Sequence, residues 1–367
     1  MIDSSAAFDT VDQSILLNKL QHNFNITNGA LKMIESYFTN RKFCVKINET
    51  ISQPKDLVCG VPQGSLLGPL FYVLYTKGVE KIVEDHGLRI QCYADDCQVY
   101  ISFRENETNQ TETKLVECLV DITQWMSSNF LKINKEKTKI KIFKHKLSVM
   151  PELNQLGKNC EESVKLLGVN FEENLKFKDF IGTKVRKCNF LLHNLYNIRN
   201  SLNAQTRTLL VTTLLFSTID YCNILLLGAT DKDLRPIKLI INKALRFIYN
   251  LKRKYHITPY YKKAHFLPIK YRIKFKACLT AFNIFHDKSP KYLTEDFEKF
   301  IPTSNMALRE GYGRDSYMFS IDTNEINSKR LSTLIKREWN ALPIDLRKCE
   351  SVLTFKTKLK TYYFLQY

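Results

Sequence analysis

Between Arg89 and Phe103 apolar and polar positions keep the two-residue period of a half-buried strand, interrupted once. Arg89-Ile90-Gln91-Cys92-Tyr93 leads in, and Cys97, Val99, Ile101 and Phe103 alternate with Gln98, Tyr100 and Ser102 on the way out. Asp95 and Asp96 fall in the break, which predicts a hairpin with both carboxylates at its tip. Upstream, Ile15, Leu16 and Leu20 predict a short helix over Val11 to Leu20, and a second runs from Leu31 to Phe38. Phe43, Val45 and Ile47 alternate with polar residues, a strand over Lys42 to Asn48. Gly and Pro punctuate a loop from Cys59 to Phe71, and an apolar helix follows to about Val83. Ser65 is placed to cap it, and Pro69 is tolerable only in its first turn. Leu115, Cys118, Leu119, Ile122, Trp125 and Met126 mark an amphipathic helix. A turn over Asn134 to Thr138 leads to a strand, Lys139 to Phe143, and Leu166 to Val169 opens a small strand pair.

From about Phe180 the period becomes helical. Helices are predicted over Ile181 to Leu202, Gln205 to Leu227, Asp231 to Asn250 and Ile269 to His286, with a domain boundary near Asn174 to Phe180. The fold class expected is α+β, an antiparallel sheet with packed helices followed by a helical region.

The 367 residues suffice for two or three domains and a sizeable core. The formal net charge of +18 is unevenly spread: from Leu234 to His286 there is no Asp or Glu. In that tract Arg235, Lys238, Lys243, Arg246, Lys252, Arg253 and Lys254 interleave with Tyr249, Tyr255, Tyr260 and Tyr261. Cations neutralise phosphates and rings stack on bases, so the tract suits a nucleic-acid track; a solvated helix face has the same composition. The ten cysteines include no Cys-x-x-Cys pair, which favours reduced intracellular thiols over a disulfide frame or a zinc site. Leu209 to Gly228 is apolar but interrupted by Asp220 and Asn223, so it reads as a buried core helix rather than a membrane span. No signal peptide is read, and an intracellular chain of nucleus or cytoplasm is expected.

Asp95-Asp96 alone is more often a solvated acidic turn than a metal site. A third carboxylate would change that, and Asp3 stands at the end of another predicted strand. Two-metal phosphoryl chemistry needs a pair of divalent cations ~4 Å apart. Mg²⁺ takes hard oxygen ligands and keeps much of its shell from phosphate and water, so two or three aspartates suffice. If the two strands are neighbours in one sheet, the three carboxylates meet.

Three segments carry a resemblance. Asp3-x-x-x-Ala7-Phe8-Asp9, Gly60-Val61-Pro62-Gln63-Gly64-Ser65-x-Leu67-Gly68-Pro69 and Tyr93-Ala94-Asp95-Asp96 follow the order of a reverse transcriptase palm. The wording resembles the enzymes of LINE-type (non-LTR) retrotransposons. It continues through Trp125-Met126, Asn134-x-x-Lys137-Thr138 and Leu166-Leu167-Gly168-Val169, then Asp220-Tyr221-Cys222-Asn223, His256-Ile257-Thr258-Pro259, Leu267-Pro268-Ile269, Trp339-Asn340-x-Leu342-Pro343 and Phe355-Lys356-x-x-Leu359-Lys360.

The resemblance implies a palm over 1–175, a helical thumb over 176–255 and a mostly helical C-terminal region over 256–367. It implies an RNA-directed DNA polymerase that joins a dNTP to a primer 3′-hydroxyl on an RNA template, with Mg²⁺ or Mn²⁺. Asp3 and Asp95 would be the principal metal ligands, with Asp96 assisting. Phe8 would lie beneath the incoming sugar and exclude a 2′-hydroxyl; a core aromatic is its other reading. Gln63, Gly64 and Tyr93 would line the substrate pocket, and Lys137 would protonate the leaving pyrophosphate unless it is a plain surface lysine. Leu166 to Val169 would support the primer end. Lys243, Arg246, Lys252, Arg253 and Lys254 would track the nucleic acid.

Two departures matter. Lys139 stands where the pattern often has an acid. Only Met1 and Ile2 precede Asp3, so the N-terminal endonuclease and most of the fingers are expected to be missing and Asp3 to sit on a strand prone to fraying. Two readings follow: the polymerase core, or a truncated and inactive retroelement product that binds nucleic acid. A viral RNA-dependent RNA polymerase is a weaker third, opposed by Phe8 and the Val-Pro-Gln-Gly-Ser loop. Nucleic-acid binding is expected to be salt-sensitive, with log affinity falling linearly in log salt. A titration whose midpoint does not move between low and moderate salt would remove the basic-track argument.

Overall fold

The computed structural model describes residues 1–5, 7–62, 64–134, 136–143, 161–300, 317–321 and 330–367. They form two compact units, Met1–Val164 and Lys165–Tyr367, each around its own apolar core. The class is α+β, with short antiparallel strands among many helices.

The first unit runs β1 (Ser4–Ser5), α1 (Gln13–His22), α2 (Asn28–Phe38), β2 (Lys42–Phe43), β3 (Lys46–Ile47), β4 (Thr50–Ile51) and β5 (Lys55–Asp56). It continues with α3 (Gly68–Thr76), α4 (Val79–Asp85), β6 (Arg89–Tyr93), β7 (Asp96–Tyr100), α5 (Thr108–Ser128) and β8 (Lys132–Ile133). Local chemistry starts the helices. Asp12 caps α1, its side chain accepting from the Ile15 N–H at 2.8 Å. Ser65 Oγ accepts from the Gly68 N–H at 3.0 Å where α3 begins, and Pro69 lies in the first turn of α3. Their apolar faces meet in one core: Leu16 and Leu20 from α1, Phe71, Tyr72 and Tyr75 from α3, Ile122 and Met126 from α5. Each such side chain contributes about 1.5–3 kcal/mol by leaving water.

The chain's first residues are held on both sides. Ile2 and Cys97 of β7 exchange backbone hydrogen bonds at 2.7 and 3.2 Å. Opposite, β1 pairs with β8, the Asp3 carbonyl accepts from the Asn134 N–H at 2.8 Å, and Met1 bonds Lys139 at 2.9 and 3.0 Å. The fraying expected of this segment is therefore not what the fold shows: it is an inner strand. Side chains alternate across it, so Ile2 and Ser4 turn into the core and Asp3 to the opposite face.

Several sequence expectations are corrected here. Lys42–Asn48 is not one strand: β2 pairs with β5 and β3 with β4. Phe43, Val45 and Ile47 are all exposed, so no buried face holds a single register. The apolar helix breaks at Gly78, whose φ of +127° ends α3 and starts α4. Lys139–Phe143 forms no regular strand; Ile140 O accepts from the Glu161 N–H at 3.0 Å, and Lys139 bonds Met1 and its side chain pairs with Glu161 at 3.2 Å.

The division between the units falls inside β9 (Ser163–Leu166), which pairs with β10 (Val169–Glu172). In the second unit the helices Lys178–Asn197, Asp231–Tyr249, Ile269–Phe285, Leu331–Asn340 and Val352–Leu365 share one core. The expected helix Gln205 to Leu227 is instead Ala204–Leu210, a turn of π-helix over Val211–Phe216, Ser217–Asp220 and a 3₁₀ turn, Asn223–Leu226. The break at Tyr221-Cys222 is organised by polar groups. Arg272 grips both Asp220 oxygens, and Asn223 donates to Asp220 at 3.1 Å. Lys184, 5% exposed, donates to the carbonyls of Thr218 and Tyr221 at 2.6 Å each, and burial lowers its pKa to about 8. Among the described residues no helix is long and apolar enough to cross a membrane.

Trp339 is the aromatic centre of this unit. It is fully buried, its indole N–H donates to the Tyr317 carbonyl at 2.8 Å, and the rings of Phe282, Phe285, Phe319 and Phe355 surround it. Trp339→Ala is expected to lower unfolding free energy by about 3–5 kcal/mol, the range for removing a large buried ring. Equilibrium denaturation reads this, and a loss under about 1 kcal/mol would deny the cluster that role.

Candidate active site

The hairpin β6–β7 is in register from Arg89–Tyr100 to Tyr93–Asp96, so its loop is only Ala94 and Asp95. Asp96 is thus the first residue of β7, not part of the tip, and the two carboxylates differ in setting. Ala94 takes the left-handed conformation, φ +52°, that closes so tight a loop. Cys92 and Cys97 face each other across the ladder with their sulfurs 3.0 Å apart, both free thiols. The Cys97 thiol donates to Cys92, holding the Cys92 pKa below its ordinary value and the Cys97 pKa above.

The Ile2–Cys97 pair carries Asp3 opposite Asp96. In an antiparallel ladder the position beside a reciprocally bonded pair brings Cα atoms to ~4.5 Å, with side chains on one face. The electrostatics agree: the Asp96 carboxyl is raised above its ordinary value by burial first, then by the charges of Asp95 and Asp3, with Lys137 opposing. Asp3 Oδ2 is buried, accepts no hydrogen bond, and has the Lys137 ammonium 3.8 Å away. Lys137 itself is 70% exposed. Its position follows from Asn134, whose side-chain oxygen accepts from the N–H groups of Glu136 and Lys137 at 3.1 Å each. Thr138 Oγ1 accepts from the Asp3 N–H at 3.5 Å.

The Cys59–Ser65 loop lies against the same segment. The Val61 N–H donates to the Phe8 carbonyl at 2.9 Å and the Gly60 N–H to the Val11 carbonyl at 2.7 Å. Gly60 has φ +83°, and a side chain there would stand 2.8 Å from the Asp9 carbonyl, so only glycine allows this approach. Gln13 steadies the loop by donating to Gly60 O at 3.3 Å. The half-buried ring of Phe8 leans on Tyr72, centroids 4.8 Å apart. Gly64 is exposed with open space around it, and Tyr93 is 66% exposed beside the tip. Gln63 lies outside the described residues.

Asp3, Phe8, Gly64, Tyr93, Asp95, Asp96 and Lys137 thus all belong to the first unit, and pairing or charge links Asp3, Tyr93, Asp95, Asp96 and Lys137. Asn134 carries a readable signal, an Asn opening a polar turn; the supporting role of Gln13 leaves none in the sequence. The basic residues belong to the second unit. Lys243 donates to Asn189 at 2.9 Å, and Arg246 closes a loop by donating to the carbonyls of Lys252 and Tyr255 at 2.6 and 3.1 Å. Lys252, Arg253 and Lys254 are exposed.

Among the described residues no three His, Cys, Asp or Glu side chains close around a point as a metal cage. The donor set still fits a divalent ion of the Mg²⁺ kind, which needs few protein oxygens. The unsatisfied Asp3 oxygen and the mutual repulsion at Asp96 are what a cation would relieve.

An inner strand and a hairpin set Asp3 across from Asp96 and beside Asp95, with the helices of the first core behind them. Residues 1–171, just under half of the chain, match the family model for reverse transcriptase (RNA-dependent DNA polymerase). It is 29% identical over 197 residues to the probable RNA-directed DNA polymerase from transposon BS of Drosophila melanogaster, 51% of this chain and 21% of that protein. It is 26% identical over 224 residues to the probable RNA-directed DNA polymerase from transposon X-element of the same fly, 59% of this chain and 24% of that protein. With the RNA-directed DNA polymerase from its mobile element jockey the identity is 25% over 261 residues, 67% and 28% of the two chains. The matches thus span between about a fifth and somewhat more than a quarter of the length of these relatives.

A carboxyl with a raised folded pKa binds its proton more readily in the folded than in the unfolded chain. Stability therefore falls as pH rises from the ordinary value of 3.8 through the raised one, and stays lower above it. Asp96→Asn removes that penalty: without divalent ions it is expected to raise the unfolding midpoint at pH 7, with the gain fading toward pH 4. Excess magnesium is expected to stabilise the parent chain more than the variant. A variant less stable than the parent at pH 7 in chelator would show that repulsion does not dominate at Asp96.

Proposed function

We propose that the chain is the polymerase core of a LINE-type retrotransposon, an RNA-directed DNA polymerase that transfers a nucleotide from a dNTP to a primer 3′-hydroxyl on an RNA template. The observation that carries this reading is the Ile2–Cys97 pair, which sets Asp3 across from Asp96 and beside the Asp95 tip. Residues 1–175 act as palm, 176–255 as thumb and 256–367 as C-terminal region.

Asp3, Asp95 and Asp96 would hold Mg²⁺ or Mn²⁺. Ions bound there would supply charge that makes the primer hydroxyl a better nucleophile and offsets the negative charge of the leaving pyrophosphate. Lys137 Nζ, beside Asp3 Oδ2, delivers a proton to the pyrophosphate oxygen as its bond to the α-phosphorus breaks. Phe8, braced by Tyr72, fills the space a ribose 2′-hydroxyl would need. Gln63, Gly64 and Tyr93 contact the nucleotide, the glycine leaving the backbone open to it. Leu166–Val169 supports the primer end, and Lys243, Arg246, Lys252, Arg253 and Lys254 meet phosphates of template and primer.

The reading as an inactive nucleic-acid-binding remnant is not favoured, since the similar proteins carry the names of RNA-directed DNA polymerases and the charges of Asp95 and Asp3 act on Asp96. Primer extension on RNA, by residues 1–367 or by a longer product containing them, tests the proposal. Divalent-dependent dNTP incorporation is expected, with Asp95→Ala reducing it by at least about 100-fold, as befits loss of a group that organises transition-state charge. Equal extension by parent and Asp95→Ala would sink the assignment.

A further inference from the structure

We infer that Tyr221 is a positioning residue for the primer terminus: its hydroxyl holds the β9–β10 hairpin tip, Leu167-Gly168, in the form that meets the primer 3′ end. This rests on the polymerase reading above.

The two strands are joined by only Leu167 and Gly168, with φ of +45° and +82°. Both central residues are left-handed, as in the primed turns that match strand twist, where Asn, Asp and Gly are the usual occupants. Gly168 suits its position. Leu167 does not, because a branched side chain has no local polar compensation for the crowding between Cβ and the next carbonyl. The sequence of the turn therefore does not secure its shape, and an outside contact is needed.

Tyr221 supplies it. Its hydroxyl donates to the Leu167 carbonyl. Its ring packs where a Gly168 side chain would project, with Cε1 and Oη 3.6 and 3.8 Å from that position. Tyr221 is itself anchored from behind: Lys184 Nζ donates to its carbonyl at 2.6 Å and lies 5.7 Å from its ring centroid, while the preceding Asp220 is gripped by Arg272 and Asn223. A buried polar knot in the helices thus reaches an exposed hairpin tip through one phenol. Leu167 is 40% exposed and Tyr221 49%, so the contact lies at the surface, where a nucleic-acid end can reach the tip.

The test compares Tyr221→Phe with the parent chain, in the same product used for primer extension, with Asp95→Ala as reference. The variant keeps the ring and removes only the donor, so its unfolding midpoint should stay close to the parent's. Two changes are expected. Backbone amides of Leu167 to Val169 exchange hydrogen faster, with the rest of the second unit unchanged. KM for primer–template rises about tenfold, the worth of one lost hydrogen bond at the upper end of its range, while KM for dNTP holds. A merely structural role would lower the midpoint and leave the KM for primer–template alone. Faster exchange with an unchanged KM, or unchanged exchange, overturns the inference. If parent and Asp95→Ala extend primers equally, the polymerase reading fails and the inference with it; if only Tyr221→Phe matches the parent, the inference fails alone.

Discussion

Two backbone hydrogen bonds between Ile2 and Cys97 set the geometry of the first unit. Neither depends on the side chains involved, but their register does everything that matters. It commits Ile2 and Ser4 to the apolar core and leaves Asp3 on the other face opposite Asp96. A slip of one residue would bury the carboxylate and expose the isoleucine, an exchange that the core under the strand forbids. The hydrophobic side of the strand thus enforces the position of its charged side. The carboxylates then sit closer than isolated charges would choose, and the raised pKa of Asp96 records the repulsion.

The second unit solves a different problem with a comparable device. Its helices could pack by apolar contact alone, yet the chain breaks at Tyr221 and Cys222, leaving carbonyls without helical partners. Lys184 collects them, and the Asp220–Arg272–Asn223 cluster closes the gap beside it. A buried lysine is tolerable because it replaces water with several acceptors, and its pKa near 8 shows the residual strain of desolvation. In both units a polar arrangement that would be unfavourable alone is over-determined by the packing around it.

Much of this was legible along the chain. The alternation around Tyr93–Asp96 identified the hairpin, and α1, α2 and α5 followed from apolar spacing because each packs one face on a core. Legibility failed where spacing and burial part company. Lys42–Asn48 alternates without burying a face, so it breaks into separate ladders. The apolar run after Pro69 hides a Gly78 break because Trp125 packs against that turn from α5. Asp96 was read as part of a turn, since two adjacent aspartates look alike in sequence; only the register distinguishes a strand residue from a loop residue.

By itself the sequence determined the α+β class, the order of the motifs and the residue types able to do phosphoryl chemistry, because these rest on local periodicity and on side-chain identity. Tertiary structure alone decided which carboxylates meet, that Lys137 stands by Asp3, and that Gly60 closes on Asp9. Those relations join residues tens of positions apart, and no local preference encodes the register of a pairing that distant. It is selected only when the two strands compete to bury their apolar faces on the same core.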